Sequence, residues 1–504
     1  MRYSVYLAAV LGAVLAPSAC DSGLDSLCDY KGACSDGGGL DVALDGKPPI
    51  DAPVGCDLTK DPKDSTACID DSVGVFVSPT GNDANPGTKA SPVKTLTNAL
   101  TKLGAKPRVY VCEGNYPGSV EIKTSVSVYG ALKCDWTAGG ARPVLTADKP
   151  AFGVQLEAAS ITLADIEVDG ADGVADGESS VAILANAATG AVLTRVKAVA
   201  GAGKNGKAGT TGSNYTPLLD QSDPSIAGSD VKLNTPSAGG VRHDCTLCKD
   251  TKNSSGGPGG NGDVASPTMG GVGLPNLGGL APKDGVGGAA GIGCGSGTGH
   301  DGANGGPGTV APKSSALSNI DSSGWKPGSG ADGVNGGVAQ GAGGGGGGIS
   351  SSKGGGGGGG CGGCGGGFGT GGTGGGASIG LLSVASSVTL NESELVSKQA
   401  GNGGAGAAGQ TGQLGGAGGT PASFGCSGGT GGTGGAGGSG SGGAGGVSAA
   451  IAFKGTAPTV DSATTAKLTP GTLGTQGTGG SPGTNDGPNG VSQPIFECKA
   501  PLCN

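Results

Sequence analysis

The sequence predicts an all-β chain: a parallel β-helix with an N-terminal capping helix, interrupted by glycine-rich insertions. Three observations predict it. Short apolar alternations recur about three times per 20–30 residues with no helix between them. An apolar motif opening on serine returns at Ser180, Ser378 and Ser448, and each copy runs out into glycine. Glycine supplies 117 of the 504 residues, against a usual ~7%.

The chain opens with Met1-Arg2 and the apolar run 5–15, a positive n-region and an h-region too short to span a bilayer comfortably. Leu15-Ala16-Pro17-Ser18-Ala19-Cys20 resembles a bacterial lipobox, with Pro17 standing where such motifs usually carry an aliphatic residue. The resemblance implies that residues 1–19 are a signal peptide and that Cys20 becomes an acylated N-terminus, making a membrane the first partner. The alternative is cleavage near Ala16 and secretion as a soluble protein.

Cysteine parity supports the anchor. Of 15 cysteines, removal of Cys20 leaves an even set that can pair completely in an oxidising compartment. Proximity in sequence suggests Cys28–Cys34, Cys56–Cys68, Cys112–Cys134, Cys245–Cys248, Cys361–Cys364 and Cys498–Cys503, leaving Cys294 for Cys426.

Residues 20–73 are rich in Asp, Gly and Pro and read as a tether. Order is expected from Gly74. Val75-Phe76-Val77 is a strand, and 78–83 carries turn chemistry. A helix is expected to start at Ser91-Pro92, with Leu96, Ala99, Leu100 and Leu103 on one face and Gly104 ending it. From Arg108 the period becomes two, with strands at 109–111, 120–122, 126–129, 154–156, 161–163 and 166–168. No such coil buries its apolar face alone, so the coils must stack.

The segments 75–83, Pro86-Gly87-Thr88, Ser91-Pro92, 96–100, 109–116 and 125–130 together resemble the opening of many bacterial right-handed β-helix proteins of the pectin-lyase-like class. That opening is usually catalogued as a domain of unknown function. The resemblance covers about residues 74–200 and implies a fold, since the class holds both enzymes and inert scaffolds.

The repeat then organises the remainder: coils at 74–200, 378–399 and 448–504, with glycine-rich insertions at 201–377 and 400–447. Glycine this dense disfavours α-helix by ~1 kcal/mol per residue relative to alanine. Disorder and a bundle of polyproline-II-like strands are the two alternatives. Runs such as 428–436 have the three-residue period of such a bundle and resemble the PGRS-type repeats of bacterial surface proteins.

Several motifs invite chemistry. Gly201-Ala202-Gly203-Lys204-Asn205-Gly206-Lys207-Ala208 fits GxGxxG and GxxxxGK, but nothing helical follows and Ala208 stands where a Mg²⁺-binding hydroxyl is needed. It reads as a coil running into its insertion. His243, Cys245 and Cys248 could hold a metal with His300 or Cys294, but cysteines in an oxidising compartment more often pair. Cys361 and Cys364 read as a staple rather than a redox pair.

Asp165, Glu167, Asp169, Asp172 and Asp176, with Arg195 a coil away, form the one acidic cluster of the coils and read as a solvated face. Only 259–263 hints at a calcium-binding repeat. Trp136 and Tyr129 are expected to pack or cap. A net charge of −9 and the absence of basic runs exclude a nucleic-acid partner.

The sequence therefore points to a non-enzymatic, exported cell-surface lipoprotein with a structural, adhesive or matrix-contact role. It would sit in the cell envelope and touch polysaccharide or surface proteins. No catalytic residue, metal or cofactor is expected. The alternative is a carbohydrate-active lyase or hydrolase on the same scaffold.

Overall fold

The computed structural model describes residues 52–215, 223–231, 235–245, 248–277, 284–291, 293–349 and 353–503. Residues 1–19, Cys20, Cys28 and Cys34 lie outside the described residues. Nearly everything described is β-strand or extended chain, arranged as a parallel β-helix with three sheets.

The first sheet stacks Gly74–Val77, Arg108–Cys112, Ser127–Leu132, Thr162–Ala164, Ala191–Thr194, Val388–Asn391 and Thr459–Val460. The second stacks Val120–Ile122, Val154–Leu156, Ser180–Asn186, Ser378–Val384, Ser448–Lys454 and Ser492–Glu497. The third stacks Asn115–Pro117, Val144–Thr146, Glu167–Asp169, Lys197–Val199, Glu394–Val396 and Leu468–Thr469. The inward positions, among them Ile122, Leu156, Leu163, Val168, Ile183, Leu193, Leu381, Leu395 and Ile451, form one continuous buried core. Burial of apolar area at ~25 cal/mol per Å² is the main force holding the coils together.

The repeated serine marks the register. Ser180 lies opposite Ser378, and Ser378 opposite Ser448. Chain separations of 198 and 70 residues thus collapse to adjacent strands. All three serines are fully buried.

The described residues of the glycine-rich segments are ordered. The N–H groups of Gly343, Gly344 and Gly345 donate to His300, Gly271 and Gly357; those of Gly346, Gly347 and Gly348 donate to Gly297, Thr268 and Gly354. Each strand therefore addresses three neighbours in turn and returns to the first after three residues. This is the hydrogen-bonding period of a threefold, polyproline-II-type helix. Of the two expectations, disorder is ruled out for these residues and the extended bundle stands.

Bundle and coil are one continuous object. Gly357, Gly360, Gly363, Gly366, Gly369, Gly372 and Gly375 donate to Cys426, Gly429, Gly432, Gly435, Gly438, Ser441 and Ala444. Ser378 then donates to Val447, and the same two chains carry on as paired β-strands. Gly201–Ala208, the nucleotide-motif mimic, is another such strand: Gly203, Gly206 and Gly209 donate to Gln399, Asn402 and Ala405.

Three expectations need correction. Ser91-Pro92 is not helical; Val93 bridges to Val77, and the helix runs only Leu96–Thr101, capped by the Thr95 hydroxyl accepting from Asn98 N–H. Residues 52–73 are not tether but packed chain. Ile69 is buried against Phe76 and Tyr110, the Arg108 guanidinium donates to the carbonyls of Leu58 and Lys60, and the Tyr110 hydroxyl donates to Cys68 O.

The third correction concerns disulfides. Cys56–Cys68, Cys112–Cys134, Cys294–Cys426 and Cys498–Cys503 are bonded, but Cys245 pairs with Cys361 and Cys248 with Cys364. A threefold helix rises about 9.3 Å over three residues, beyond the reach of a disulfide. Cys361 and Cys364 therefore cannot bond to each other. They present sulfurs at equivalent positions on successive turns, each facing one cysteine of the pair Cys245 and Cys248.

Candidate functional site

Three groupings of polar side chains stand out from the scaffold. The first is a serine ladder where coils meet the bundle. The Ser180 hydroxyl accepts from Gly201 N–H at 2.8 Å. Ser378 accepts from Lys398 N–H at 2.8 Å and donates to Gly201 O at 2.6 Å. Ser448 donates to Lys398 O at 2.8 Å, and Ser492 donates to Gly471 O at 2.7 Å. The chain changes period here, and the hydroxyls supply partners that neither a β-ladder nor a threefold bundle provides. The serines are visible as a repeat, but nothing in the sequence reveals what they bind.

The second grouping is the acidic cluster. Only Glu167 and Asp169 lie on a strand; Asp165 precedes it, while Asp172 and Asp176 follow it on exposed chain. Asp165, Arg195 and Glu392 occupy one corner in successive coils, all left-handed, with φ of 57°, 53° and 51°. Such a conformation costs roughly 1–2 kcal/mol per non-glycine residue. It is offset by hydrogen bonds from Asp165 N–H to Thr194 O and from Arg195 N–H to Asn391 O.

Arg195 grips Asp165 with Nε and Nη2, both at 2.7 Å, and its Nη2 also reaches Asp61 at 2.5 Å. The Asp165 hydrogen bond, opposed by burial and helped by Asp61, holds the Arg195 pKa above its ordinary value. Lys197 pairs with Glu167 at 2.7 Å, and that bond raises the lysine pKa. Lys197 is also in register with Glu394 of the next coil, giving an acid–base–acid ladder. Lys398 stands 3.8 Å from Asp172.

Asp169 differs. Burial, then the charge of Glu167, raises its pKa. A carboxyl group with a raised pKa is what a general acid requires. Sequence reasoning misses Asp61 as a partner because its segment reads as spacer, and Lys197 because its position across from Glu167 depends on register.

The third grouping lies at the bundle. Among the described residues, the ligating atoms of His243, Cys245 and Cys361 fall within 4.8 Å of one another. His243 Nδ1 is 3.3 Å from Cys361 Sγ, and its Nε2 is 4.0 Å from Asp223 Oδ2. The sequence places His243 and Cys245 together but offers Cys248 as the next ligand; Cys248 is instead bonded to Cys364. Cys294 is bonded to Cys426 and supplies no ligand here.

Near the N-terminal end, a small cavity opens between the helix Leu96–Thr101 and the strand Asn115–Pro117. Burial works against the Asp83 carboxylate there, but the N–H groups of Thr95 and Lys94 and the Thr95 hydroxyl hold its pKa below the usual value. Tyr129 stacks on Tyr110, and Trp136 meets Phe76 edge-on. These rings close the outer side of the first coils.

A family described as "Protein of unknown function (DUF1565)" matches residues 79–150. It is typically found in β-helix proteins, in keeping with the parallel sheets. An uncharacterized protein of Bacillus subtilis (strain 168), YwoF, is 41% identical over 51 residues, 10% of this chain and 11% of that protein. The chain thus matches about a tenth of that relative's length. No solved structure matches. Among the described residues no helix is long and apolar enough to cross a membrane.

Proposed function

We propose that this protein is an exported, lipid-anchored surface scaffold without a catalytic role, holding a stiff body away from the membrane for structural or adhesive contact. The observation that carries this reading is the fusion, in unbroken register, of a β-helix with an ordered glycine bundle. Nearly every glycine N–H in the central strands is consumed by a neighbouring backbone, a design for rigidity rather than for gripping a substrate. The cations of the acidic cluster are likewise used up in ion pairs between coils. The likeness of 428–436 to PGRS-type surface repeats and the lipobox-like segment before Cys20 agree with a place in the cell envelope.

A fatty-acid probe should label the wild type and not Cys20→Ala; equal labelling would make the protein secreted rather than anchored. Purified protein should turn over no member of a panel of acidic and neutral polysaccharides.

The second reading, a polysaccharide lyase or hydrolase, rests on the raised pKa of Asp169 beside Glu167. Turnover that disappears in Asp169→Ala would establish it and end the scaffold reading.

A further inference from the structure

The two disulfide rungs of the bundle are equivalent in spacing, each joining residues 116 apart, yet their surroundings differ. Cys248 and Cys364 are packed with Tyr215 and Val338. Cys245 and Cys361 have His243 against the sulfur and Asp223 behind the imidazole. A staple needs neither group. From this contrast we infer that the Cys245–Cys361 rung is a redox-gated site for a thiophilic divalent cation of the zinc type, ligated on reduction by His243, Cys245 and Cys361.

The chemistry balances with a dithiol as reductant. Its two thiols become a disulfide, and the Cys245–Cys361 bond takes up two electrons and two protons. Metal binding then releases those protons, because thiolates are the ligands.

The geometry suits a tetrahedral ion. A zinc–sulfur bond of ~2.3 Å and a zinc–nitrogen bond of ~2.0 Å put neighbouring ligand atoms roughly 3.5 Å apart. The imidazole already stands 3.3 Å from Cys361 Sγ, so the sulfurs need only separate by side-chain rotation. His243 would ligate through Nδ1, leaving Nε2 to Asp223, the outer carboxylate that orients a metal-bound histidine. An open cavity bordered by Asp244, Cys245, Ser254 and Leu274 gives a route to the sulfur. Three protein ligands leave one coordination position for water or an incoming group.

The test uses the full chain, reduced with a phosphine, desalted without oxygen and titrated with Co²⁺ alone. One equivalent should bind with a sulfur-to-cobalt charge-transfer band, absent before reduction. The band should vanish in Cys245→Ser/Cys361→Ser and persist in Cys248→Ser/Cys364→Ser. Affinity should fall at least tenfold in His243→Ala and about tenfold in Asp223→Ala. In wild-type protein, Zn²⁺ should shield Cys245 and Cys361 from alkylation while leaving Cys248 and Cys364 open, which needs no variant to fold. A reduced wild type without the band, a band that survives loss of Cys245 and Cys361, or equal alkylation of both rungs would overturn the proposal.

Discussion

Gly345 sits at the centre of the bundle, and replacing it with alanine should cost about 3 kcal/mol. An added Cβ would lie 2.0 Å from Cys426 O and 2.5 Å from Cys426 C and Ser427 O, all backbone atoms. Ordinary contact begins near 3.4 Å, so the facing strand must retreat by about 1.4 Å. That strand is held by hydrogen bonds from Gly357 N–H to Cys426 O at 2.9 Å and from Cys426 N–H to Gly346 O at 3.1 Å; Gly345 N–H to Gly357 O adds a third at 2.8 Å. Losing three bonds at ~1 kcal/mol each gives the figure. Gly306 is the control: a Cβ added there would meet no atom within 4 Å, and its φ is not left-handed. Gly306→Ala should therefore stabilise by ~0.4–1 kcal/mol through the unfolded chain. Urea unfolding followed by the fluorescence of Trp136 and Trp325 compares the variants. If Gly345→Ala and Gly306→Ala unfold at the same midpoint, the bundle is not packed as described.

The serine ladder, the rungs and Asp169 give three more expectations. Ser378→Ala strands the N–H of Lys398 and the carbonyl of Gly201, and urea unfolding should show a loss of ~1–3 kcal/mol. Removing either bundle disulfide alone should change stability little, because the other still closes the same loop of about a hundred residues; removing both should cost ~4–5 kcal/mol, a non-additivity that a double-mutant cycle reads directly. Asp169 has a folded pKa above its unfolded one, so the folded state holds the extra proton between the two values and stability falls as pH rises through that window. Asp169→Asn should therefore stabilise at neutral pH and lose its advantage in acid, as thermal unfolding across pH 3–7 would record.

Much of the coil architecture is legible because its signals are local. Alternation at 109–111 or 166–168 sets a strand, and Ser180, Ser378 and Ser448 declare a register across great lengths of chain. What stays hidden depends on partners far away in sequence. Asp61 looks like spacer until Arg195 is found beside it. The pairing of Cys245 with Cys361 is hidden because proximity along a chain is a poor guide once the chain is extended at about 3.1 Å per residue. The helix start is obscured for a simpler reason: proline at a first helical turn and proline in a turn before a bridging residue look alike until Val93 pairs with Val77.

Depth within the bundle can also be read from the triplet. A threefold strand points each residue of three toward a different side. At 341–348 and 353–367 every position is buried, and nearly all are glycine. At 428–436 two of three are glycine, and the third position, Thr430 or Ala436, is exposed. Along the outer strand, Gly409, Gly412 and Gly415 recur every third residue, and a Cβ at each would run into the carbonyl oxygen of Gly437, Gly434 or Gly431. Glycine content per triplet thus counts neighbouring chains. The third position need not be idle: Asn205, Asn402, Asp301 and Asn304 accept from the backbone N–H groups of Asn402, Thr475, Thr430 and Thr433 on adjoining strands. Side chains at the rim thereby replace the hydrogen bonds that missing neighbours would have made. This explains how a segment with almost no apolar core can be ordered, and why its edges are drawn from Asn, Asp and Thr while its centre is nearly all glycine.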